Sequence, residues 1–467
     1  MSEQMGMMYL SAVLKKYNHS TGMINTDLED INKKMKEFRP DILAYYSMTG
    51  EHRHLIEFNK SLKRKYRFLA VFGGPHPTFF PEVIQNEGID IIGVGECESA
   101  MAELANALEK GRPIDKIKNL WIKKKGRIIK NPVRPLETDL DKLPHPDREI
   151  MYLGDKRLLE FGKKVFLAGR GCPYNCTYCF NHKMRELYKS WGRVRWKSVD
   201  KLIDEIVEVK NKYPLEFVKF GDDTFSMASR EWIEEFAEKY PKKVGIPFGC
   251  NLRPNLVTGH FVRNLKKAGC YHAFMAIEAA DEKIRNDLLK RNISEEQIAK
   301  AYRLLKSAGI KIGYYNLLGL PVKNALKKDI ETLKINAKYR PNMAWSSLFT
   351  PYPKTELGEY AIKHGYFHGD FEKIPANNKI TSCLKFSSLK EKHQIENLHK
   401  LFGITVRFPF LLPVTKILIQ LPPNRFYTFL MFGFYGLVRE GTMATMKLTP
   451  AKMLKFTKVL LKHTRNE

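Results

Sequence analysis

The chain has 467 residues, enough for two or three domains. Only three of its seven cysteines lie close together, and no apolar signal segment opens the sequence. A secreted disulfide framework is therefore excluded, and we expect a reducing cytoplasm. The formal net charge of +28 predicts attraction to polyanions. The basic residues are spread along the whole chain without a compact nucleic-acid-binding module. A lysine-rich solvated surface explains them at least as well, and we do not expect nucleic acid as a partner.

The first part of the chain alternates between helical and strand patterns. An amphipathic helix is predicted at residues 8–17, and strands at 41–46, 68–72 and 89–94. Each strand ends in a cluster of small or polar residues, which includes Ser47 and Thr49, then Gly73 and Gly74, then Gly95 and Glu96. This pattern predicts a doubly wound domain, in which ligands bind at the ends of the strands. Residues 116–148 follow with the composition of a linker.

A short loop, Cys172-x3-Cys176-x2-Cys179, follows an apolar strand pattern at 165–168. Three thiolates at this spacing can hold three irons of a cubane cluster and leave the fourth iron open to a substrate. Two alternatives stay open. Zinc usually takes four ligands, and His182 could complete such a site with the three cysteines. A disulfide is the weaker alternative, because the other four cysteines are scattered.

Strand and helix patterns alternate from this loop to residue 350. Strands are predicted at 217–220, 247–253, 272–278, 311–318 and 345–350, and a capping box at Ser294 opens one of the helices between them. Such repeated units build a parallel sheet, most simply a full or partial barrel, with its chemistry at the carboxyl ends of the strands. The residues at those ends include Gly221, Asp222, Asp223, Asn251, Arg253, Glu278 and Asn316. Taken alone, residues 221–223 could form a plain turn, and Arg253 could pair with a carboxylate at the surface. Glu278 is different, because a carboxylate that follows a buried strand needs a partner.

The cysteine loop, with Tyr178 before its last cysteine, resembles the signature of radical S-adenosylmethionine (SAM) enzymes. The resemblance implies a 4Fe–4S cluster on Cys172, Cys176 and Cys179, with SAM bound to the open iron and cleaved to methionine and a 5′-deoxyadenosyl radical. It also implies that Tyr178 packs near the adenine and that 221–225 and 277–278 line the SAM site. The expected SAM-binding residues are Tyr178, Gly221, Asp222, Asp223, Asn251, Arg253, Glu278 and Asn316. The turn at 318–321 also matches, although the acidic residue that usually follows it is replaced by Val-Lys-Asn.

The succession of Ser-x-Thr, Gly-Gly-Pro-His and Gly-Glu within residues 47–96 resembles the cobalamin-binding domain that precedes many radical SAM barrels. It implies cobalamin as a further cofactor, near Ser47, Thr49, Gly73, Gly74, Gly95 and Glu96. The motif that gives cobalt a histidine is absent, and His76, between two prolines, is interpreted as a turn residue. The usual first strand is also missing, because only residues 2–6 precede the apolar stretch at 7–10. A sheet without this strand would have a gap in its hydrogen bonding, so either the true start lies upstream, or the domain is remodelled and could fail to hold cobalamin.

The carboxyl-terminal part is apolar, aromatic and basic together. Residues 426–438 are nearly uncharged but too short to span a bilayer, which takes roughly 20 residues. A basic amphipathic helix predicted at 449–462 could lie in a membrane interface or dock against the barrel. A membrane contact would make a lipid-like substrate more plausible and would place the protein at the inner face of the membrane. No family resemblance covers this part.

The predicted fold is α/β, with four parts. These are a doubly wound cobalamin-binding-like domain at 1–135, a linker at 136–160, a partial (β/α)6 radical SAM barrel at 161–360 and a helical region at 361–467. The predicted function is methylation of an unactivated carbon of a small or lipid-like molecule, with electrons from a flavodoxin- or ferredoxin-type reductant. The alternatives are a cobalamin-dependent cyclase or ring rearrangement, a transfer-RNA-modifying enzyme, and a non-catalytic cofactor carrier. No catalytic side chain for the substrate step is predicted.

Overall fold

The computed structural model describes residues 3–444 except 27, 190–191, 372–373 and 375–379. The predicted basic helix at 449–462 lies outside the described residues. The chain divides into two compact units. The first contains residues up to Phe161 together with Lys183–Lys197 and Asn211–Pro214, and the second contains the rest. The predicted linker at 136–160 thus belongs to the first unit.

The first unit is built on a five-stranded sheet covered by helices. Its strands are β1 (Ile42–Tyr46), β2 (Leu69–Gly73), β3 (Ile91–Gly93), β4 (Leu120–Lys124) and β5 (Arg127–Lys130). Its helices are α1 (Met5–Lys16), α2 (Ile31–Phe38), α3 (His52–Lys63), α4 (Pro75–Phe79), α5 (Glu98–Glu109), α6 (Glu149–Gly154) and α7 (Lys156–Glu160). The strands lie in chain order; the first three are parallel, and β4 and β5 are antiparallel.

Hydrophobic residues cover both faces of this sheet. Phe72 of β2 packs in one core cluster with residues of α2 and α3, such as Met35 and Ile56. The neighbouring Val71 points the opposite way and packs with Met101 of α5. Successive residues of a strand point to opposite faces, so helices on both sides are required to bury them. The doubly wound prediction is confirmed.

The expected gap in the sheet does not occur. Strand β1 pairs directly with β2 in parallel register, from Ile42 opposite Leu69 to Tyr46 opposite Gly73. Within the described residues no strand precedes α1. Within the described residues the hydrogen bonding of this sheet is therefore continuous from β1 to β5.

The second unit contains six parallel strands that form a half-barrel sheet. Its strands are β6 (Lys163–Phe166), β9 (Phe217–Phe220), β10 (Phe248–Leu252), β11 (Cys270–Glu278), β12 (Lys311–Leu318) and β13 (Met343–Leu348), in that spatial order. Two further short strands are β7 (Gly169–Arg170), in this unit, and β8 (Arg195–Trp196), in the first unit. The partial-barrel prediction is confirmed, and each predicted strand is present with its ends shifted by a few residues.

Helices alternate with these strands and continue to the carboxyl-terminal part. They are α8 (Asn181–Leu187), α9 (Val199–Lys212), α10 (Arg230–Lys243), α11 (Gly259–Lys267), α12 (Glu295–Ser307), α13 (Ala325–Tyr339), α14 (Glu356–Lys363), α15 (Leu389–Arg407), α16 (Leu412–Leu418) and α17 (Arg425–Gly441). The predicted capping box is present: the Ser294 hydroxyl accepts from the Gln297 N–H, and the Gln297 side chain accepts from the Ser294 N–H.

The carboxyl-terminal helices pack against the last strands of the half-barrel. Ile395, Leu398 and Phe402 of α15 lie in one core cluster with Leu318 of β12 and Leu348 of β13. The nearly uncharged segment at 426–438 forms most of α17, whose buried side belongs to this unit's core. Among the described residues, no helix has both the length and the apolar character needed to cross a bilayer.

Candidate functional site

The three clustered cysteines lie on the loop after β6 and β7, at the carboxyl edge of the half-barrel. Cys172 and Cys176 are buried, Cys179 is partly buried, and none of them forms a disulfide. Burial raises the pKa of the Cys179 thiol to about 12 and also raises that of Cys172. In this state the thiols favour the protonated form, so a metal that binds their thiolates has to displace protons.

His182, which the zinc alternative requires, has both ring nitrogens without a hydrogen-bond partner among the described residues. Within the same residues, no group of three or more histidine, cysteine, aspartate or glutamate side chains is arranged to hold a single metal ion.

Asp222 holds the base of the cysteine loop. It follows β9, and its carboxylate accepts hydrogen bonds from the backbone N–H groups of Gly169 at 2.6 Å and Ala168 at 3.2 Å. The preceding Gly221 donates its N–H to Phe166 at 2.8 Å. A Cβ at Gly221 would lie 3.0 Å from the Val165 side chain, so the close approach of the two strand ends favours glycine. This aspartate therefore fixes where the loop begins.

Tyr178, Glu278 and Arg291 form a buried polar cluster beside the loop. The Tyr178 hydroxyl donates to Glu278 Oε1 at 2.7 Å. Arg291 Nη1 donates to the Tyr178 hydroxyl at 3.0 Å and to Cys176 Sγ at 3.6 Å, and Arg291 Nη2 donates to the Ala276 carbonyl at 2.8 Å. The predicted need of Glu278 for a partner is thus met by a tyrosine and a guanidinium group.

The electrostatics of this cluster follow from its burial. Burial raises the pKa of the Glu278 carboxyl, while the Arg291 charge and the Tyr178 hydroxyl act in the opposite direction. For Arg291, burial lowers the pKa, but the neighbouring Tyr178 and Glu278 outweigh it and the pKa is raised. Glu278 also has a positive φ of 67°, next to a register shift at the end of β11. A non-glycine residue held in this conformation is strained, which is common where a side chain is aimed at a functional site.

A second buried guanidinium group also lies beside the cysteine loop. The Arg253 side chain stacks on the Tyr174 ring, with 3.5 Å between the guanidinium carbon and the ring centroid. Arg253 Nη2 also donates to the Arg291 carbonyl, and its backbone N–H donates to Ser226 Oγ at 3.0 Å. These positive charges oppose the effect of burial on the thiols and favour anions at this edge.

The structure thus adds residues that the sequence did not reveal, chiefly Arg291, Tyr174 and Arg285. Arg285 is fully buried, and its guanidinium group donates to the carbonyls of Ile293 and Ala279. It thereby ties down the loop that carries Arg291. No sequence signal pointed to Arg291, because its partner Tyr178 lies 113 positions earlier in the chain.

The remaining predicted SAM residues differ in their surroundings. Asp223 accepts from the Asn181 side chain at 3.2 Å, and Asn251 Nδ2 donates to the Asp222 carbonyl at 3.1 Å, so both lie next to the cysteine loop. The Asn316 amide instead exchanges hydrogen bonds with Asn336 of α13, at 2.8 and 3.2 Å. Its side chain therefore faces the helix layer rather than the concave side of the sheet.

In the first unit, the strand ends of β1 and β2 form one predicted ligand edge. Ser47 is fully buried, and its Oγ has no hydrogen-bond partner among the described residues. Its backbone bonds to Gly73 and to His76, and Thr49 Oγ1 lies 3.1 Å from His76 Nδ1. Gly74 has a φ of +95°, which disfavours any residue with a side chain. An orphaned hydroxyl beside two glycines is suited to a ligand that brings its own hydrogen-bonding groups.

The end of β3 forms a second edge, and the chain itself fills it. A Cβ at Gly95 would overlap the hydroxyl of Tyr188, and the same hydroxyl accepts from the Glu96 N–H at 2.9 Å. The Glu96 carboxylate pairs with Arg195 through two hydrogen bonds, at 2.6 and 3.1 Å. Gly95 and Glu96 therefore have an explanation within the first unit that involves no ligand.

Comparison with protein families identifies both units. The radical SAM superfamily model matches residues 166–333, which contain the cysteine loop, Glu278 and Arg291. The B12-binding domain model matches residues 2–105, which contain both strand-end edges of the first sheet. The chain contains a radical SAM domain and a B12-binding domain. The resemblance that the motifs carried is confirmed.

Individual proteins share this arrangement over most of the chain. An uncharacterized methyltransferase of Pyrococcus horikoshii is 28% identical over 369 residues, which are 77% of this chain and 78% of the relative. The anaerobic magnesium-protoporphyrin IX monomethyl ester cyclase of Rubrivivax gelatinosus is 27% identical, over 81% of this chain and 69% of the relative. The structure of the cobalamin-dependent SAM radical enzyme OxsB with aqua-cobalamin bound has a TM-score of 0.64 at 16% identity, covering 99% of this chain and 73% of that one.

The two domains determine the cofactors of this radical SAM protein. A radical SAM domain implies a 4Fe–4S cluster and SAM, and a B12-binding domain implies cobalamin. The predicted cofactor set is confirmed at this level. An enzyme of this class also needs a reductant and acts on a small-molecule substrate.

Proposed function

We propose that this radical SAM enzyme methylates an unactivated carbon of a small molecule with the help of cobalamin. One observation carries the proposal, namely that a single chain combines two features. The first is a three-cysteine loop beside Arg253 and Arg291. The second is a B12-binding domain in which the buried Ser47 hydroxyl has no hydrogen-bond partner among the described residues. When bound, the cluster and SAM supply a hydrogen-abstracting radical, and cobalamin supplies the methyl group.

We assign the cluster to Cys172, Cys176 and Cys179. Cys176 Sγ already accepts a hydrogen bond from Arg291, and a hydrogen bond to a coordinating sulfur stabilises the more negative state of a cluster. Arg253 adds a second buried positive charge beside the loop. Asp222 keeps the loop in place through the N–H groups of Ala168 and Gly169, so it positions the cysteines and need not touch SAM itself.

We assign SAM binding to the same edge. The Glu278 carboxylate accepts from the Tyr178 hydroxyl, which Arg291 contacts in turn, and is suited to accept further hydrogen bonds from an amino group or a ribose. Gly221, Asp223, Asn251 and Arg253 surround the opening above the strands and complete the proposed set. For Asn316 we propose an indirect role, since its amide joins β12 to α13 through Asn336.

We assign cobalamin to the edge formed by Ser47, Thr49, Gly73 and Gly74. A ligand amide or hydroxyl there would satisfy the buried Ser47 Oγ, and the glycines let its backbone approach closely. Gly95 and Glu96 support this edge from behind through Tyr188 and Arg195. Their part in cobalamin binding is then to shape the domain.

The relatives leave two reaction types to distinguish. The Pyrococcus horikoshii relative is named a methyltransferase, and the Rubrivivax gelatinosus relative is named a magnesium-protoporphyrin IX monomethyl ester cyclase. Their sequence identities to this chain are nearly equal, at 28% and 27%. We place methyl transfer first. Cyclisation is the second candidate because the cyclase matches the larger share of this chain. A flavodoxin- or ferredoxin-type protein is the proposed reductant, with the reaction in the cytoplasm. The membrane contact predicted through residues 449–462 concerns residues outside those described.

The test starts with anaerobic expression and purification with iron, sulfide and cobalamin supplied. About four irons and one cobalamin per chain would support the cofactor assignment. SAM with a deuterated methyl group is then added with a reductant and a cell extract, and small molecules are compared by mass spectrometry. A product carrying the label supports methyl transfer. SAM cleavage that yields only unlabelled, dehydrogenated or ring-closed products would favour the cyclase. Iron binding without SAM cleavage would overturn both.

A further inference from the structure

An apolar surface that faces outward lies along the short helix α16 and its two ends. Phe410, Val414, Ile417 and Leu421 recur there at intervals of four, three and four residues. At 3.6 residues per turn these positions lie within about 60° of one another, so they form one line, which we call the outer stripe. Phe410 and Ile417 are 76% and 65% exposed, and the other two are nearly half exposed. Apolar residues at this spacing normally face a protein core.

Polar side chains hold the opposite side of α16 against α15. The buried Thr415 hydroxyl lies 2.7 Å from the hydroxyl of Thr405 on α15. Asn397, also buried and on α15, donates to the carbonyls of Ile419 and Leu421 at 3.3 and 2.7 Å. Turning the outer stripe inward would break these buried hydrogen bonds. An ordinary surface helix exposes its polar residues, whereas α16 buries a threonine and exposes the outer stripe.

Aromatic residues at both ends extend the outer stripe. Tyr427 is buried, and its hydroxyl donates to the Leu418 carbonyl at 3.2 Å, which ties the first turn of α17 to the end of α16. The preceding residue, Phe426, is 62% exposed. At the other end, the exposed Phe408 ring lies 6.1 Å from the Phe410 ring, measured between centroids. Such a collection of large exposed apolar side chains marks a contact with another apolar surface.

The charged residues of this segment all have the same sign. Residues 397–439 contain no aspartate or glutamate. Arg407, Lys416 and Arg425 are exposed and lie before, within and after α16. Lys416 lies about 100° around the helix from Ile417, at the flank of the outer stripe. Apolar side chains flanked by cations match a bilayer that contains anionic lipids, because the apolar groups enter the acyl boundary while the cations meet the headgroup phosphates.

We propose that the outer stripe, together with Phe426, is a membrane-contacting surface that inserts into the interface of a bilayer containing anionic lipids. Phe410 and Ile417 enter the boundary between headgroups and acyl chains, about 5–10 Å deep, and Lys416 and Arg425 stay at the phosphates. The proposal concerns where the enzyme lies and goes beyond its proposed reaction. The surface also differs from the basic segment at 449–462, which lies outside the described residues.

Vesicle flotation of the purified full-length protein tests the proposal. Vesicles of phosphatidylcholine alone are compared with vesicles that also contain phosphatidylglycerol. The protein should bind the anionic vesicles at least about tenfold more tightly. The net charge of +28 attracts any anionic surface, so flotation is repeated at about 1 M salt, where the Debye length is about 3 Å. Inserted side chains are not screened, and part of the binding should remain. No flotation of the folded protein, or complete loss in salt, would overturn the proposal.

A double variant tests the outer stripe itself. Phe410→Gln combined with Ile417→Gln removes two inserted side chains and should weaken vesicle binding about 100-fold. The matched control combines Leu153→Gln with Leu389→Gln, since these two leucines are exposed to a similar extent but lie outside the outer stripe. The control should bind vesicles as the unmodified protein does. Equal losses in the two double variants would mean nonspecific adhesion and would overturn the assignment.

The flanking cation is tested separately. Lys416→Gln should reduce the preference for anionic over neutral vesicles about fivefold, because one basic residue near the surface is lost. Lys300→Gln removes the same charge from the exposed side of α12 and should leave the preference unchanged. Equal effects of the two variants would mean that only the net charge of the chain matters, and would contradict the position of Lys416 at the headgroups.

Two other occupants of the outer stripe are distinguished without lipid. Light scattering that shows a dimer, which Phe410→Gln with Ile417→Gln converts to a monomer, would assign the stripe to a second copy of the chain. A melting temperature that falls in this double variant would mean that the stripe packs against another part of the same chain. Either result would overturn the membrane assignment. An unchanged oligomeric state and melting temperature, together with the loss of vesicle binding, would support it.

Discussion

At the cysteine loop, buried side chains from several strands converge on the thiols. At the strand ends of the first unit, the chain itself occupies half of the predicted ligand edge. Around the loop, Tyr178 bonds to both Glu278 and Arg291, and Arg291 also bonds to Cys176. In the first unit, Tyr188 and Arg195 hold Gly95 and Glu96, and Ser47 keeps an unsatisfied hydroxyl. A motif residue can thus serve a ligand or the fold, and its hydrogen-bond partners distinguish the two.

The largest effect is expected for Cys176→Ala. Loss of one of three thiolates should abolish the 4Fe–4S absorbance and reduce SAM cleavage to background. Both are measured after anaerobic reconstitution, by iron analysis and by the yield of 5′-deoxyadenosine. Cys383→Ala is the matched control, since this cysteine lies outside the loop and is partly buried. A Cys176→Ala protein that still cleaves SAM would contradict the cluster assignment.

Arg291→Gln should have the next largest effect. It leaves the buried Glu278 without its positive partner, which typically costs about 3 kcal/mol when one member of a buried pair is removed. If the same interaction orients Glu278 toward SAM, SAM cleavage should fall about 100-fold. The reduction potential of the cluster, measured by redox titration, should become more negative.

Lys290→Gln is the control for this variant. Lys290 is adjacent in sequence but forms an exposed ion pair with Glu356, which is expected to contribute little. If the two variants behaved alike, the position of Arg291 beside Cys176 would have no functional meaning.

Glu96→Gln tests whether the β3 edge serves the fold. The substitution removes one charge of the pair with Arg195, which is largely buried, and we expect a loss of about 2 kcal/mol in the free energy of unfolding. Cobalamin affinity, measured on the remaining folded protein, should change little. A stable variant that no longer binds cobalamin would instead place Glu96 in direct contact with the cofactor.

Asp329→Asn should change how stability depends on pH. Asp329 is buried on α13 and accepts from the Gly319 N–H at 2.9 Å; burial raises its pKa to about 8 from an ordinary value of 3.8. Between these values the folded state keeps a proton that the unfolded state releases. Stability from this group is therefore fully present below about pH 4 and is lost as the pH rises toward 8, by up to about 1.4 kcal/mol per pH unit.

Urea unfolding at several pH values measures this slope. Asparagine imitates the protonated acid, so the variant should lose the slope and be the more stable protein at pH 8. Lys328→Gln, next to it in sequence and exposed on one side, should keep the slope. An unchanged slope in Asp329→Asn would mean that the carboxyl is ionised in the folded protein.

The parts that the sequence predicted are those set by local patterns. Apolar runs located the strands, and the spacing of Cys172, Cys176 and Cys179 identified the loop without any knowledge of the fold. The sequence did not show on which face of β12 the Asn316 side chain lies. Both faces of a parallel strand are buried, so hydrophobicity does not show which face bears the chemistry. The Tyr315 ring stacks on Phe274 of the neighbouring strand, whereas the next residue, Asn316, bonds to Asn336 of α13.

Contacts between distant segments were equally out of reach. Arg291 approaches Tyr178 only because the loop after β11, tied by Arg285, returns to the carboxyl edge of the sheet. Tyr188 accepts from the Glu96 N–H although it lies in residues 183–197, which the sequence pattern assigned to the barrel and not to the first domain. Both contacts depend on tertiary structure and leave no local pattern in the sequence.

Ser47→Ala should have the smallest effect on stability and the most informative one. The substitution removes a buried hydroxyl that has no partner among the described residues, so the cofactor-free protein should be unchanged or more stable by about 1 kcal/mol. With cobalamin bound, the variant should lose a hydrogen bond, and its affinity should fall about fivefold. Thermal unfolding with and without cobalamin measures both. Stabilisation by cobalamin that equals that of the unmodified protein would move the cofactor away from this edge, and the orphaned hydroxyl would then need another ligand.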